Sequence, residues 1–95
     1  MNKPYSDSLS ELGWTVDDKG LSAYKHYRFR DFVAAFAFMT VIAKEAERLG
    51  HHPDWRNVYC DVWVTLTTHD TGGLTHLDVS LARACDEHVV ELSEE

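Results

Sequence analysis

Apolar and polar positions recur in two different periods along this chain, and the period predicts the kind of element. Between residues 31 and 50 the apolar residues lie three and four positions apart, which predicts an amphipathic helix. Asp31 is placed to cap its start, whereas Gly50 and Pro53 are placed to end it. The helix carries two apolar stripes: Phe32, Phe36, Met39, Ala43 and Ala46 in one, and Phe38, Ile42 and Leu49 in the other. Because one sheet cannot bury so much apolar surface, we expect part of this helix to pack against another subunit.

Two further segments show the period of two that predicts β-strands. Residues 14–29 place extended runs on both sides of Asp18-Lys19-Gly20, which is turn chemistry, so we expect a hairpin. Residues 55–67 are expected to form a second pair of strands, with the break near Cys60-Asp61. The residues on its alternating apolar side are Val58, Cys60, Val62, Val64 and Leu66.

Helices are predicted at both ends of the chain. Ser6 is placed to cap the first, and Gly13 to end it. Thr75 and Asp78 form a variant of the capping box at the start of the last. The whole chain, residues 1–95, is therefore predicted to be one α+β domain of order αββαββα. In this fold class a four-stranded antiparallel sheet carries three helices on one face.

Charge and composition narrow the class of protein. Nine basic and sixteen acidic residues give a formal net charge of −7, which argues against direct binding to nucleic acid or to an anionic membrane. The two cysteines, Cys60 and Cys85, have no metal-type spacing, which favours reduced thiols in the cytosol. No apolar run is long enough to span a membrane, and the first residues lack the apolar core of a signal peptide. The sequence therefore predicts a cytoplasmic protein.

The stretch LGHHPDWRNVY, residues 49–59, holds the candidate chemistry. His51 and His52 follow the end of the long helix, where Pro53 stiffens the loop, and His69 is expected at the end of the last strand. In this layout the three imidazoles can converge, and each can give or take a proton near neutral pH. Three interpretations stay open: surface histidines, an acid–base site, or a zinc site, although adjacent ligands on a short loop are awkward for zinc. Trp55 could stack on a planar ligand or belong to the core.

The segment FRDFVAAFAFMTVIAKEAERLGHHPDWRNVYCDVWVTLTTHDTGGLTHLD resembles the pterin-4a-carbinolamine dehydratases, a family also called the dimerisation cofactor of a homeodomain transcription factor. The likeness runs from about residue 13 to residue 84. One departure is Gly50, where many members carry Asp or Asn. The resemblance implies a catalytic set of His51, His52 and His69, supporting carboxylates Asp78 and Glu47, and pterin-binding residues Thr67, Thr68, Pro53 and Trp55.

The reaction that the resemblance implies is loss of water from 4a-hydroxytetrahydrobiopterin to give quinonoid dihydropterin. Such a hydro-lyase needs an acid for the leaving hydroxyl and a base for a ring N–H, and histidines suit both tasks. The pterin is the substrate, so no metal and no organic cofactor is expected. The implied role is cofactor recycling for aromatic amino acid hydroxylases, by a homodimer or homotetramer.

Two alternatives stay open beside this activity. The first is a non-enzymatic oligomerisation or coactivator module that binds a protein partner through the helix at 31–49. The second is a pterin-binding protein of another pathway, such as molybdenum cofactor metabolism.

Overall fold

The elements follow one another in the predicted order. The computed structural model describes residues 3–92, but not the side chains of His69 and of residues 90–92. No helix in this described part is long and apolar enough to cross a membrane. The elements are α1 (Tyr5–Glu11), β1 (Thr15–Val16), β2 (Ala23–Arg28), α2 (Phe32–Leu49), β3 (Asp54–Val58), β4 (Asp61–Leu66), a 3₁₀ turn (His69–Thr71) and α3 (His76–Leu92).

The four strands form one antiparallel sheet in the order β1-β2-β4-β3, which confirms the predicted fold class. Successive side chains of β4 alternate between the two faces, so that Val62, Val64 and Leu66 are fully buried. Phe38 and Ile42 of α2 lie in the same core, and α2 also packs against α3. The helices thus cover one face of the sheet.

The ends of α2 are set by the two residues that the sequence marks. The side chain of Asp31 accepts a hydrogen bond from the Ala34 backbone N–H at 2.8 Å. Gly50 has φ of +65° and ends the helix, and the N–H of His51 donates back to the carbonyl of Ala46 at 3.0 Å. This turn directs the chain into the histidine loop.

Two details of the sequence prediction were wrong. Ser6 does not cap α1, because the helix already begins at Tyr5, and the Pro4 carbonyl accepts the N–H groups of Asp7 and Ser8. Val58 is exposed rather than buried, because it pairs directly with Asp61, and paired residues share a face of the sheet.

A partly buried polar cluster around Asp86 joins α3 to the rest of the fold. One oxygen of Asp86 accepts the Tyr27 hydroxyl at 2.6 Å and the Lys25 ammonium at 2.9 Å, and the other accepts the Trp14 indole N–H at 3.3 Å. Lys25 also donates to the carbonyl of Leu12, just after α1. Burial, reinforced by the bond to Asp86, raises the pKa of Tyr27 well above its usual value, so that this hydroxyl stays a donor.

Both cysteines are buried free thiols. Burial raises the pKa of the Cys85 thiol to about 12, so the thiol stays protonated at neutral pH. Because the thiolate is the reactive form, Cys85 is a packing residue and not a nucleophile.

We expect Asp86→Ala to lower the free energy of unfolding by about 2–3 kcal/mol, because it leaves three donors without their acceptor. Urea denaturation followed by circular dichroism would measure the change. The matched control is Glu11→Ala, which breaks the exposed pair with Lys3 and should cost less than about 1 kcal/mol. Equal losses for the two variants would contradict a special role for the Asp86 cluster.

Candidate active site

A polar cavity of about 260 Å³ opens at the end of the sheet where β3 begins and β4 ends. The pairing of Asp54 with Thr65 brings the loop after α2 alongside the segment after β4. The cavity is lined by Gly50, His51, His52, Thr67, Thr68 and Asp70. Two of the three predicted catalytic histidines therefore share one cavity with both predicted threonines.

His51 is held by a buried carboxylate. Its Nε2 lies 2.6 Å from Oδ1 of Asp78, and the side chains are 10% and 0% exposed. The other oxygen of Asp78 accepts the Thr68 hydroxyl at 2.7 Å and the Thr75 backbone N–H at 2.9 Å. The carboxylate of Asp78 thus caps α3 and orients the His51 ring at the same time. The predicted capping box is confirmed.

His52 is held by a carboxylate that is exposed to solvent. Its Nε2 lies 2.6 Å from Oε2 of Glu47 in the last turn of α2, but the side chains are 62% and 77% exposed. Water screens such a pair, so it fixes the ring less firmly than a buried one does. In both pairs the carboxylate occupies Nε2, which leaves Nδ1 of each ring as the nitrogen that can exchange a proton.

His69 lies at the edge of the cavity by its place in the chain. β4 ends at Leu66, so His69 does not end the strand as predicted but begins the 3₁₀ turn, after an isolated bridge between Thr68 and Gly73. Its side chain is outside the described part of the structure. Thr68 and Asp70, its neighbours in the chain, both line the cavity. The catalytic role of His69 stays a prediction.

Trp55 is not among the residues that line the histidine cavity. Trp55, on β3, packs against the core and lines a second, apolar depression of about 270 Å³ that it shares with α2. Phe36, Met39, Thr40 and Ala43 line it as well. Pro53 follows His52 directly but does not line the histidine cavity. Thr67 and Thr68 line the cavity, whereas Pro53 and Trp55 do not, and pterin binding by all four residues stays a prediction.

Two residues that line the cavity, Asp70 and Gly50, were not identified as cavity residues from the sequence. Asp70 was not predicted as a cavity residue, because its only signal in the sequence is its place directly after His69. Gly50 has a left-handed backbone, and a Cβ added there would meet nothing within 4 Å. Asn and Asp are the residues after glycine that best tolerate this conformation, so either could stand at position 50 without a change of backbone.

Metal binding finds no ready ligand set in the described part of the chain. No group of three or more His, Cys, Asp or Glu side chains there is arranged to hold a metal ion.

The fold and the site together define the class of protein. It is an antiparallel α+β domain with two histidine–carboxylate pairs at one cavity. Residues 2–88 match the sequence profile of the family Pterin 4 alpha carbinolamine dehydratase. A protein of Rhizobium johnstonii, provisionally named a pterin-4-alpha-carbinolamine dehydratase, is 55% identical over 80 residues, which cover 83% of this chain and 79% of the relative. One of Mesorhizobium japonicum with the same name is 50% identical over 82 residues, or 85% and 84% of the two chains.

Two solved structures are similar to this chain. The crystal structure of a transcriptional coactivator/pterin dehydratase from Brucella melitensis is 40% identical, with a TM-score of 0.82 over 87% of this chain and 89% of that chain. A pterin dehydratase-like protein identified as a RuBisCO assembly factor in the alpha-carboxysome shares the fold, at 23% identity and a TM-score of 0.59 over 86% and 90% of the two chains. The chain belongs to the pterin-4-alpha-carbinolamine dehydratase family, as the sequence predicted, and this membership supports its assignment as a dehydratase.

We expect Asp78→Asn to lower the free energy of unfolding by about 1–3 kcal/mol, because a neutral amide cannot accept from His51 and from the start of α3 at once. The matched control is Glu47→Gln, which changes the exposed pair and should cost less than about 1 kcal/mol. Urea denaturation of both variants would measure the difference, and a smaller loss for Asp78→Asn than for Glu47→Gln would contradict the assignment.

Proposed function

We propose that this chain removes water from a 4a-hydroxytetrahydropterin by histidine acid–base catalysis. The supporting observation is the cavity in which His51 and His52 each keep one ring nitrogen on a carboxylate. In the reaction the C4a–O bond breaks, an acid protonates the leaving hydroxyl to give water, and a base takes the proton of the neighbouring ring nitrogen as the C=N bond forms. The product is the quinonoid dihydropterin.

The roles of the histidines follow from the chemistry of the two steps. His52 and His69 are proposed as acid and base on either side of the carbinolamine, and His51 orients or assists. The proton lost from the ring and the proton given to the hydroxyl balance, so the pair returns to its starting state after transfer through water. No metal and no organic cofactor takes part in this scheme, because the pterin itself is the substrate.

The physiological substrate is proposed to be 4a-hydroxytetrahydrobiopterin or a close relative that an aromatic amino acid hydroxylase releases. Dehydration would return the spent pterin to a form that a reductase can reuse, in the cytoplasm. A cavity of about 260 Å³ is slightly smaller than most small-molecule sites, which favours a compact bicyclic ligand.

Stopped-flow absorbance after a hydroxylase turnover would follow the decay of the carbinolamine. We expect the wild-type chain to accelerate the decay, and His52→Ala or His69→Ala to lose about 10²- to 10⁴-fold of the rate, the usual contribution of a general acid or base. The matched control is His26→Ala, since His26 pairs with Asp61 on the opposite, exposed face of the sheet. The proposal fails if wild type leaves the decay rate unchanged, or if His26→Ala is as slow as the cavity variants.

A second role, association through α2, is supported by an apolar surface that the fold leaves uncovered. Val33 is 75% exposed and Phe36 is 54% exposed, and Phe32 beside them is exposed as well. Phe36 also lines the apolar depression in front of Trp55. We infer that this surface joins copies of the chain into a dimer or tetramer, and that a helical protein partner could compete for it.

Phe36→Ser should weaken this self-association. Burying one phenylalanine contributes about 1.5–3 kcal/mol, and a symmetric contact counts it twice, so the dissociation constant should rise by roughly 100-fold or more. Sedimentation velocity over a range of concentrations would measure it, with Tyr5→Ser on α1 as the control for loss of an exposed aromatic ring. A wild-type chain that stays monomeric throughout would rule out the α2 interface.

A further inference from the structure

Two threonines connect the start of α3 with the segment that follows β4. The hydroxyl oxygens of Thr68 and Thr75 lie 2.9 Å apart, and the hydroxyl of Thr68 lies 2.7 Å from Oδ2 of Asp78. The backbone N–H of Leu77 donates to the hydroxyl oxygen of Thr75 at 3.2 Å. None of these groups belongs to the acid–base set of the proposed reaction.

The number of protons on each group fixes the direction of every hydrogen bond in this series. A hydroxyl has one proton, and an ionised carboxylate can only accept. The proton of Thr68 therefore goes to Asp78, so its oxygen accepts the proton of Thr75. The oxygen of Thr75 in turn accepts the N–H of Leu77. The series runs one way, from the first turn of α3 to the carboxylate.

Asp78 is held in one orientation as a result. Its Oδ2 receives two donors, the Thr68 hydroxyl and the Thr75 N–H, while Oδ1 faces Nε2 of His51. Rotation of the carboxylate would break both bonds in a site where Asp78 has no exposed surface. The N-terminal end of α3 also favours negative charge at this position.

We propose that Thr68 is a positioning residue for the dehydration, which fixes Asp78 and through it the ring of His51. This inference rests on the proposed function. With Oδ1 held in place, His51 keeps its proton on Nε2 and its lone pair on Nδ1, the nitrogen that can exchange a proton. Thr68 is thus more than a wall of the cavity, because its only proton is committed to Asp78 and is not available to a substrate.

The neighbouring threonine provides a contrast within the same cavity wall. The hydroxyl of Thr67 donates to the carbonyl of Leu21 at 2.6 Å and has no contact with Asp78. Loss of the Thr67 hydroxyl can therefore alter substrate contact, but it leaves the Asp78–His51 pair in place.

The test compares Thr68→Val and Thr68→Ser with Thr67→Val, and uses Thr15→Val on the exposed strand β1 as the control away from the cavity. Carbinolamine dehydration gives kcat, KM and the pH profile of each variant, and long-range ¹H–¹⁵N spectra report which nitrogen of His51 carries the proton. We expect Thr68→Val to lower kcat by about 10- to 100-fold, shift the pH profile, and mix the two tautomers of His51. Thr68→Ser should restore all three, and Thr67→Val should leave the His51 tautomer unchanged.

The outcomes separate the two proposals. A wild-type chain without dehydratase activity would overturn the proposed function, and the His51 spectra would still decide whether Thr68 orients the ring. An active wild type whose Thr68→Val variant changes only KM, with the His51 spectrum unaltered, would overturn the positioning role. Should Thr68→Val not fold, Thr68→Ala removes the same hydroxyl from this half-buried site without adding bulk, and the same readouts apply.

Discussion

The buried carboxylate of Asp78 is the interaction on which the site depends. A charge without exposed surface is tolerated only when it is fully hydrogen-bonded. Here the donors come from three segments that are distant along the chain: His51 after α2, Thr68 after β4, and Thr75 at the start of α3. Removing any one of them would leave the carboxylate under-satisfied. The start of α3 and the orientation of the His51 ring are therefore one physical constraint.

The site is assembled from helix ends rather than from the interior of an element. Gly50 ends α2 in a left-handed turn and leads directly into the two histidines, while the first turn of α3 supplies Asp78. The two histidine–carboxylate pairs differ in their access to water, because one is buried and the other exposed. His51 is consequently the more firmly held ring of the two.

The two long faces of the domain outside the core have different chemistry. On the open side of the sheet, Trp63 is stacked between the ring of His26 at 4.8 Å and the guanidinium of Arg56 at 4.1 Å, so both faces of its indole are covered. On the other side, α2 leaves Phe36 and Val33 uncovered. Neighbouring exposed apolar side chains of this kind are typical of association sites, and they lie apart from the histidine cavity.

Local signals in the sequence were sufficient for the order of elements and for most of their ends. Asp31, Gly50 and the Thr75–Asp78 box act on backbone groups within a few residues, so their chemistry can be read without knowing the fold. The predicted layout alone suggested that the three histidines could converge, and the resemblance to a family added their supporting carboxylates. The tertiary contacts could not be predicted from such local signals. Examples are the hydrogen bond between Asp78 and His51, and the position of Trp55 against α2 instead of beside the histidines. Strand register and the packing of α3 on α2 bring residues 27 positions apart to 2.6 Å, and those distances depend on contacts formed by the whole chain.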